Sequence, residues 1–165
     1  MYLRHSKAVL VLLIGLFASL VAVNNITDYN SNFQFVRHVM SMDTTFQGNS
    51  LMWRALTQPW FHHLAYGVII TIESLVGILC LAGAYLLWKN RHASSVVFNH
   101  SKRIATYGLV LGIVLWFSGF MTVGAEWFLM WQSPNWNGQQ AAFRFITVIF
   151  VTLIFLHQQE PAESM

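Results

Sequence analysis

Charge is what this chain has least of. Only 9% of its 165 residues are Asp, Glu, Lys or Arg, against about 25% in soluble domains, too few to cover a water-facing surface. Cysteine is nearly absent too: the single Cys80 excludes an internal disulfide and, inside an apolar run, reads as a small packing residue. Basic tracts are missing, and a net charge of +3 spread along the chain offers no footprint for nucleic acid. Nor is there a Walker loop, a dinucleotide fingerprint, a nucleophile elbow or an HExxH motif. No catalytic residue and no metal ligand set is therefore assigned, and a non-catalytic role is expected.

Apolar residues dominate instead, at 56% of the chain with 15% aromatic. About 20 mostly apolar residues cross a bilayer as a helix, and four stretches reach that length, near 8–26, 63–88, 104–131 and 139–157. Barrel strands would be shorter and would alternate. The expected fold is all-α: one domain forming a four-helix transmembrane bundle. A short helical outer (periplasmic) loop at 28–61 joins spans 1 and 2, and an inner loop occupies 89–103. Arg4 and Lys7 precede a long apolar run without a small-x-small cleavage site, so this start is expected to stay as the first span.

Orientation follows from the basic residues. Arg4, Lys7, Lys89, Arg91, Lys102 and Arg103 lie on one side, and only Arg37, Arg54 and Arg144 on the other. Both termini are expected in the cytoplasm. In the outer loop, Ser31-Asn32-Phe33-Gln34 has the form of a capping box, and Phe33, Val36 and Met40 follow helical spacing. A short amphipathic helix is predicted there, with a further helical turn over Leu51–Leu56.

Spans associate in lipid through small residues and polar contacts. Gly15, Ala18, Ala22 and Asn25 form one stripe, and Glu73, Gly77, Cys80 and Ala84 a second. Ala105, Gly112, Gly119 and Glu126 recur at seven-residue spacing, with Gly108 and Gly112 as a small-x-x-x-small pair. Each stripe carries a polar residue toward its outer end.

At about 1.5 Å of rise per residue, Glu73 and Arg144 both lie about 24 Å from the inner boundary, and Asn24 and Asn25 about 25–27 Å. Intramembrane charges are costly and seek partners, so Glu73 is expected to pair with Arg144. Glu126 would join that layer or reach Arg37 or Arg54. Such a layer would either fix helix register or hold a proton, a quinone headgroup or another small ligand. Haem between spans needs imidazoles facing across the bundle. His5, His92, His100 and His157 fall at the inner side and His38, His62 and His63 at the outer, so no cofactor is expected, haem or quinone being the alternatives.

Several strings are distinctive: Asn24-Asn25-Ile26-Thr27-Asp28-Tyr29, Phe35-Val36-Arg37-His38-Val39, Met42-Asp43-Thr44-Thr45-Phe46, Glu126 through Ser133, Trp136-Asn137-Gly138-Gln139 and Phe143-Arg144-Phe145. With them the chain resembles, over nearly its whole length, a bacterial family of predicted small integral membrane proteins of unknown function. The resemblance implies a four-span fold in a bacterial inner membrane, and it implies no activity.

The expected function is that of an accessory or scaffolding subunit of a membrane complex. Its interaction surface would be the outer face around Arg37, His38, Asp43, Trp53 and Arg54, and its partners other membrane proteins or copies of itself. The alternative is a quinone-, haem- or proton-handling component of a respiratory complex, using the Glu/Arg layer.

Overall fold

The computed structural model describes residues 2–159, and among these every regular element is helical. Helix α1 runs Tyr2–Thr27, α2 Tyr29–Ser41, α3 Pro59–Lys89 and α4 Ser95–Ile113. The third span continues without a break as a π-helical segment, Val114–Trp127, and α5 covers Gln139–His157. Four of these helices are long and apolar enough to cross a membrane, counting Ser95–Trp127 as one. The all-α, four-span reading holds.

Span ends extend past the apolar runs because helical backbone continues into the interface wherever its polar side chains find partners. Helix α1 therefore includes Arg4 and Lys7. Arg4 donates to the carbonyls of Arg91 and Ala93 and to the Ser95 hydroxyl. Lys7 is buried, and its Nζ donates to the Gln158 carbonyl at 2.7 Å. These bonds gather the start of α1, the end of α5 and the α3–α4 turn at one end of the bundle. At the other end Pro59 occupies the first turn of α3, where its missing N–H costs nothing.

Helix α1 packs most extensively on α3, α3 on α4, and α5 closes against the third span and α1. Tight crossings use small residues. A Cβ placed on Gly83 would lie 2.5 Å from the Ala105 nitrogen, and one on Gly108 would lie 2.8 Å from the Cys80 sulfur. The core between them includes Val11, Ala18, Val76, Leu87, Leu109 and Trp116.

Helix α2 is amphipathic, as its spacing predicts, and it folds over the bundle mouth with Val36, Val39 and Met40 buried. The capping box does not form. The helix starts before it, at Tyr29, and the Ser31 hydroxyl instead donates to Asp28 Oδ2 at 2.7 Å. Met42, left-handed at φ 54°, ends α2, and a 3₁₀ turn at Met52–Arg54 follows. The α2–α3 connection is then stapled to the loop before α5. Thr44 Oγ1 donates to Ser133 Oγ at 2.7 Å, and Gln132 Oε1 accepts from the Phe46 backbone N–H at 3.1 Å.

Candidate functional site: a buried carboxyl beside an intramembrane cavity

Tyr66 and Glu73 lie seven residues apart on α3, on the face turned toward α1. Both are buried; Glu73 is 3% exposed. Asn25, 5% exposed, stands opposite near the end of α1 and donates from Nδ2 to Glu73 Oε2 at 2.7 Å. Its own Oδ1 accepts from Asn32 Nδ2 of α2 at 2.6 Å, and its backbone carbonyl accepts from the Tyr66 hydroxyl at 3.2 Å. Three elements are tied together by this chain of bonds. Asn25 is the only hydrogen-bond partner of Glu73 among the described residues.

The chain lines a cavity of about 270 Å³ bounded also by Trp116, Phe120 and Phe145. Beyond Phe35, Val36, Ile69 and Phe120, which border both spaces, lies a second cavity of about 560 Å³ between α2, α3 and the π-helical segment. Its walls are almost wholly apolar. Among the described residues, Glu73 is the one charged side chain lining either space.

The expected polar layer is thus only partly assembled. Glu73 and Asn25 meet, whereas Asn24, Glu126 and Arg144 are all exposed on the outside of the bundle. The Glu73–Arg144 pair does not form, and the reason is rotational phase. The buried face of α5 carries Ala142, Ile149, Thr152 and Leu156. Arg144 is two residues beyond Ala142, about 200° around the helix. Matching depth placed the two side chains at one level and said nothing about which way each points.

Phase also explains the third small-residue stripe. Ala105, Gly108 and Gly112 are buried, but Gly119 and Glu126 are exposed. From Val114 the backbone bonds run i→i+5, as in Phe128 N–H to the Val123 carbonyl at 3.0 Å. Leu115 and Trp116 still follow Gly112 on the inner face, but wider winding then rotates later positions off a seven-residue repeat and turns Gly124 and Ala125 inward instead. Gly15 and Gly77 do sit at helix contacts, against Leu81 and Ser19.

At the capped end, His38 Nδ1 lies 2.7 Å from Asp43 Oδ2, and its ring stacks on Trp136 at 4.6 Å. The Arg54 guanidinium packs over Trp53 and Trp127 at 5.3 and 4.8 Å. The Arg37 guanidinium donates to Gln34 Oε1 at 3.2 Å. His62 is buried with Nε2 2.6 Å from the Leu56 carbonyl, and His63 stacks on Phe33.

Sequence reasoning missed Tyr66 and Asn32, although the seven-residue spacing of Tyr66 and Glu73 was a usable signal. Lys7, which precedes the first apolar run, and Lys102, which falls in the expected inner loop, are both buried at the terminal end.

The family model described as predicted small integral membrane protein (DUF2165) matches residues 3–159. The chain belongs to that family. No curated protein and no solved structure matches it. The family's span covers the site and the cap alike, so an integral, multi-pass membrane protein is shown, with the Glu73 cavity inside its bundle.

Proposed function

We propose that this protein is a membrane-embedded binding protein whose site is the Glu73 cavity, where it holds a hydrogen-bonding small molecule or headgroup within a bacterial inner membrane. The observation that carries this reading is a nearly fully buried carboxyl with one amide partner, facing an open space with no cation on its walls. An acidic side chain deep in the bilayer costs on the order of 2.5–3.5 kcal/mol on insertion scales. One hydrogen bond returns about 0.5–1.5 kcal/mol. A residue serving register alone would be paired or replaced by an amide, so an occupant that completes the hydrogen bonding is the natural complement. Of the neighbouring volumes, about 270 and 560 Å³, the first falls just below and the second within the range of ligand pockets. Of the roles expected from sequence, the ligand-handling one fits this geometry better than scaffolding, because His38, Asp43, Thr44 and Ser133 are spent on closing the cap.

Protein taken from native membrane into nanodiscs and extracted with organic solvent should release a small molecule at near one per chain. The Glu73→Leu variant should release much less. Equal recovery from the two, or none from either, contradicts the reading.

A second role, as a subunit of a larger assembly, is supported by Phe46, Trp53 and Trp131, which are exposed on the capped face. Aromatic residues of this kind are enriched in interfaces. Mild purification that yields only partner-free protein would remove it.

A further inference from the structure

We infer that the occupant is an uncharged lipid of the quinol class, its hydroxylated ring beside Glu73 and its apolar tail in the neighbouring groove. This rests on the Glu73 cavity being a binding site, and it adds the ligand's chemistry and its route.

Hydrogen-bond capacity sets the headgroup. The Asn25 amide donates to Glu73, the Asn32 amide donates to Asn25, and the Tyr66 hydroxyl donates to the Asn25 carbonyl. Each amide spends one of its two N–H groups in these bonds, and the phenol spends its O–H. The second oxygen of Glu73 has no hydrogen-bond partner among the described residues, and it suits a ligand that donates O–H. Charge sets the next limit. Among the described residues Glu73 is the single charged side chain on the walls of the two spaces, so a phosphate headgroup would meet a carboxyl and no lysine or arginine there.

Aromatic side chains define the shape. Phe35, Tyr66, Trp116, Phe120 and Phe145 all line the smaller cavity. Phe35 and Phe120 lie 6.0 Å apart, and Trp116 meets Phe145 edge-on at 5.4 Å. Faces and edges of this kind suit a flat ring. An alcohol on a flexible chain would leave them unused.

The groove accounts for the tail. Lipid chains are as apolar as its walls, so the groove adds little affinity and acts as a passage from the lipid side. Gly119 shows that this space is kept open. A Cβ there would meet nothing closer than Leu115 of its own helix, at 3.8 Å, whereas a Cβ on Gly83 or Gly108 would run into a neighbouring helix. Packing does not require glycine at 119, and a larger side chain would project into the groove that Gly119 lines.

Two probes test this with the full chain in nanodiscs, with binding expressed per membrane lipid and corrected with empty discs. One is bare hydroquinone and the other a decyl-substituted quinol, each radiolabelled. Wild-type protein is expected to bind both, and Glu73→Gln to weaken both. Gly119→Leu should weaken the decyl probe about tenfold or more, equivalent to 1.4 kcal/mol, while leaving hydroquinone unchanged. Ser118→Phe, at another groove-lining position, should do the same and guards against misfolding of the first variant. If groove-filling variants bind the decyl probe normally while Glu73→Gln still weakens hydroquinone, the tail assignment is overturned and the cavity reading stands. If neither probe binds, or both ignore Glu73→Gln, the cavity reading falls and this inference with it. Displacement of the decyl probe by phosphatidylglycerol as readily as by a neutral quinol would overturn the uncharged headgroup.

Discussion

Asn25 is the side chain on which the local arrangement turns, since its amide bonds Glu73 and Asn32 and its carbonyl bonds Tyr66. Truncating it to Ala would strand the buried Glu73 carboxyl, while the backbone carbonyl would still accept from Tyr66. Leaving one buried polar group unsatisfied costs about 1–3 kcal/mol, so Asn25→Ala should lower stability by about that amount in reversible detergent unfolding. Glu73→Gln keeps a hydrogen-bonding group at the same place and should cost much less. A result in which the two variants are equally stable would show that the Asn25–Glu73 bond does not matter to the fold. Arg144 gives the contrast. It is exposed and has no ion-pair partner among the described residues, so Arg144→Gln should leave stability within about 0.5 kcal/mol.

Individual helices show how far sequence alone could be read. The stripes on α1 and α3, Gly15 to Asn25 and Glu73 to Ala84, lie buried because both helices keep 3.6-residue winding throughout. Those two stripes already contained the Asn25–Glu73 contact. The third stripe failed past Gly112 because the backbone changes its hydrogen-bond step at Val114, and periodicity cannot carry across such a change. Arg144 was misplaced for a simpler reason: counting residues gives depth but not azimuth. The cavities were not legible at all, since empty space arises from side chains on α1, α2, α3, α5 and the π-helical segment that are far apart in sequence. Glycine positions test this account of the elements. Gly83→Ala drives a methyl into the Ala105 backbone and should destabilise by about 1–3 kcal/mol. Gly119→Ala should fall within about 0.5 kcal/mol of wild type. Similar losses at both positions would mean that the π-helical segment packs more tightly than its open surroundings indicate.

For the whole molecule, an even number of spans starts α1 and finishes α5 on one side, and Lys7 bonding to Gln158 joins those two helix ends directly. The opposite end is closed by α2 and the Thr44–Ser133 and Phe46–Gln132 bonds. Single cysteines would report this without background, because Cys80 is completely buried. Asn49→Cys and Ala93→Cys should react with an impermeant maleimide from opposite faces of sealed membranes, Ala93 from the cytoplasmic side. Labelling of both from one side would overturn the topology. The two ends differ in chemistry as well: basic side chains gather at the terminal end, while the capped end presents exposed tryptophan.

Reaction with carbodiimides tests most directly whether the bundle keeps a carboxyl open to an apolar route. An apolar dicyclohexyl reagent in intact membranes should form an adduct on Glu73, mapped by peptide mass spectrometry, and the decyl quinol should protect against it. A water-soluble carbodiimide should reach exposed Glu126 and leave Glu73 unmodified. Glu73 that resists the apolar reagent, or reacts equally with both, would contradict a cavity entered from the lipid.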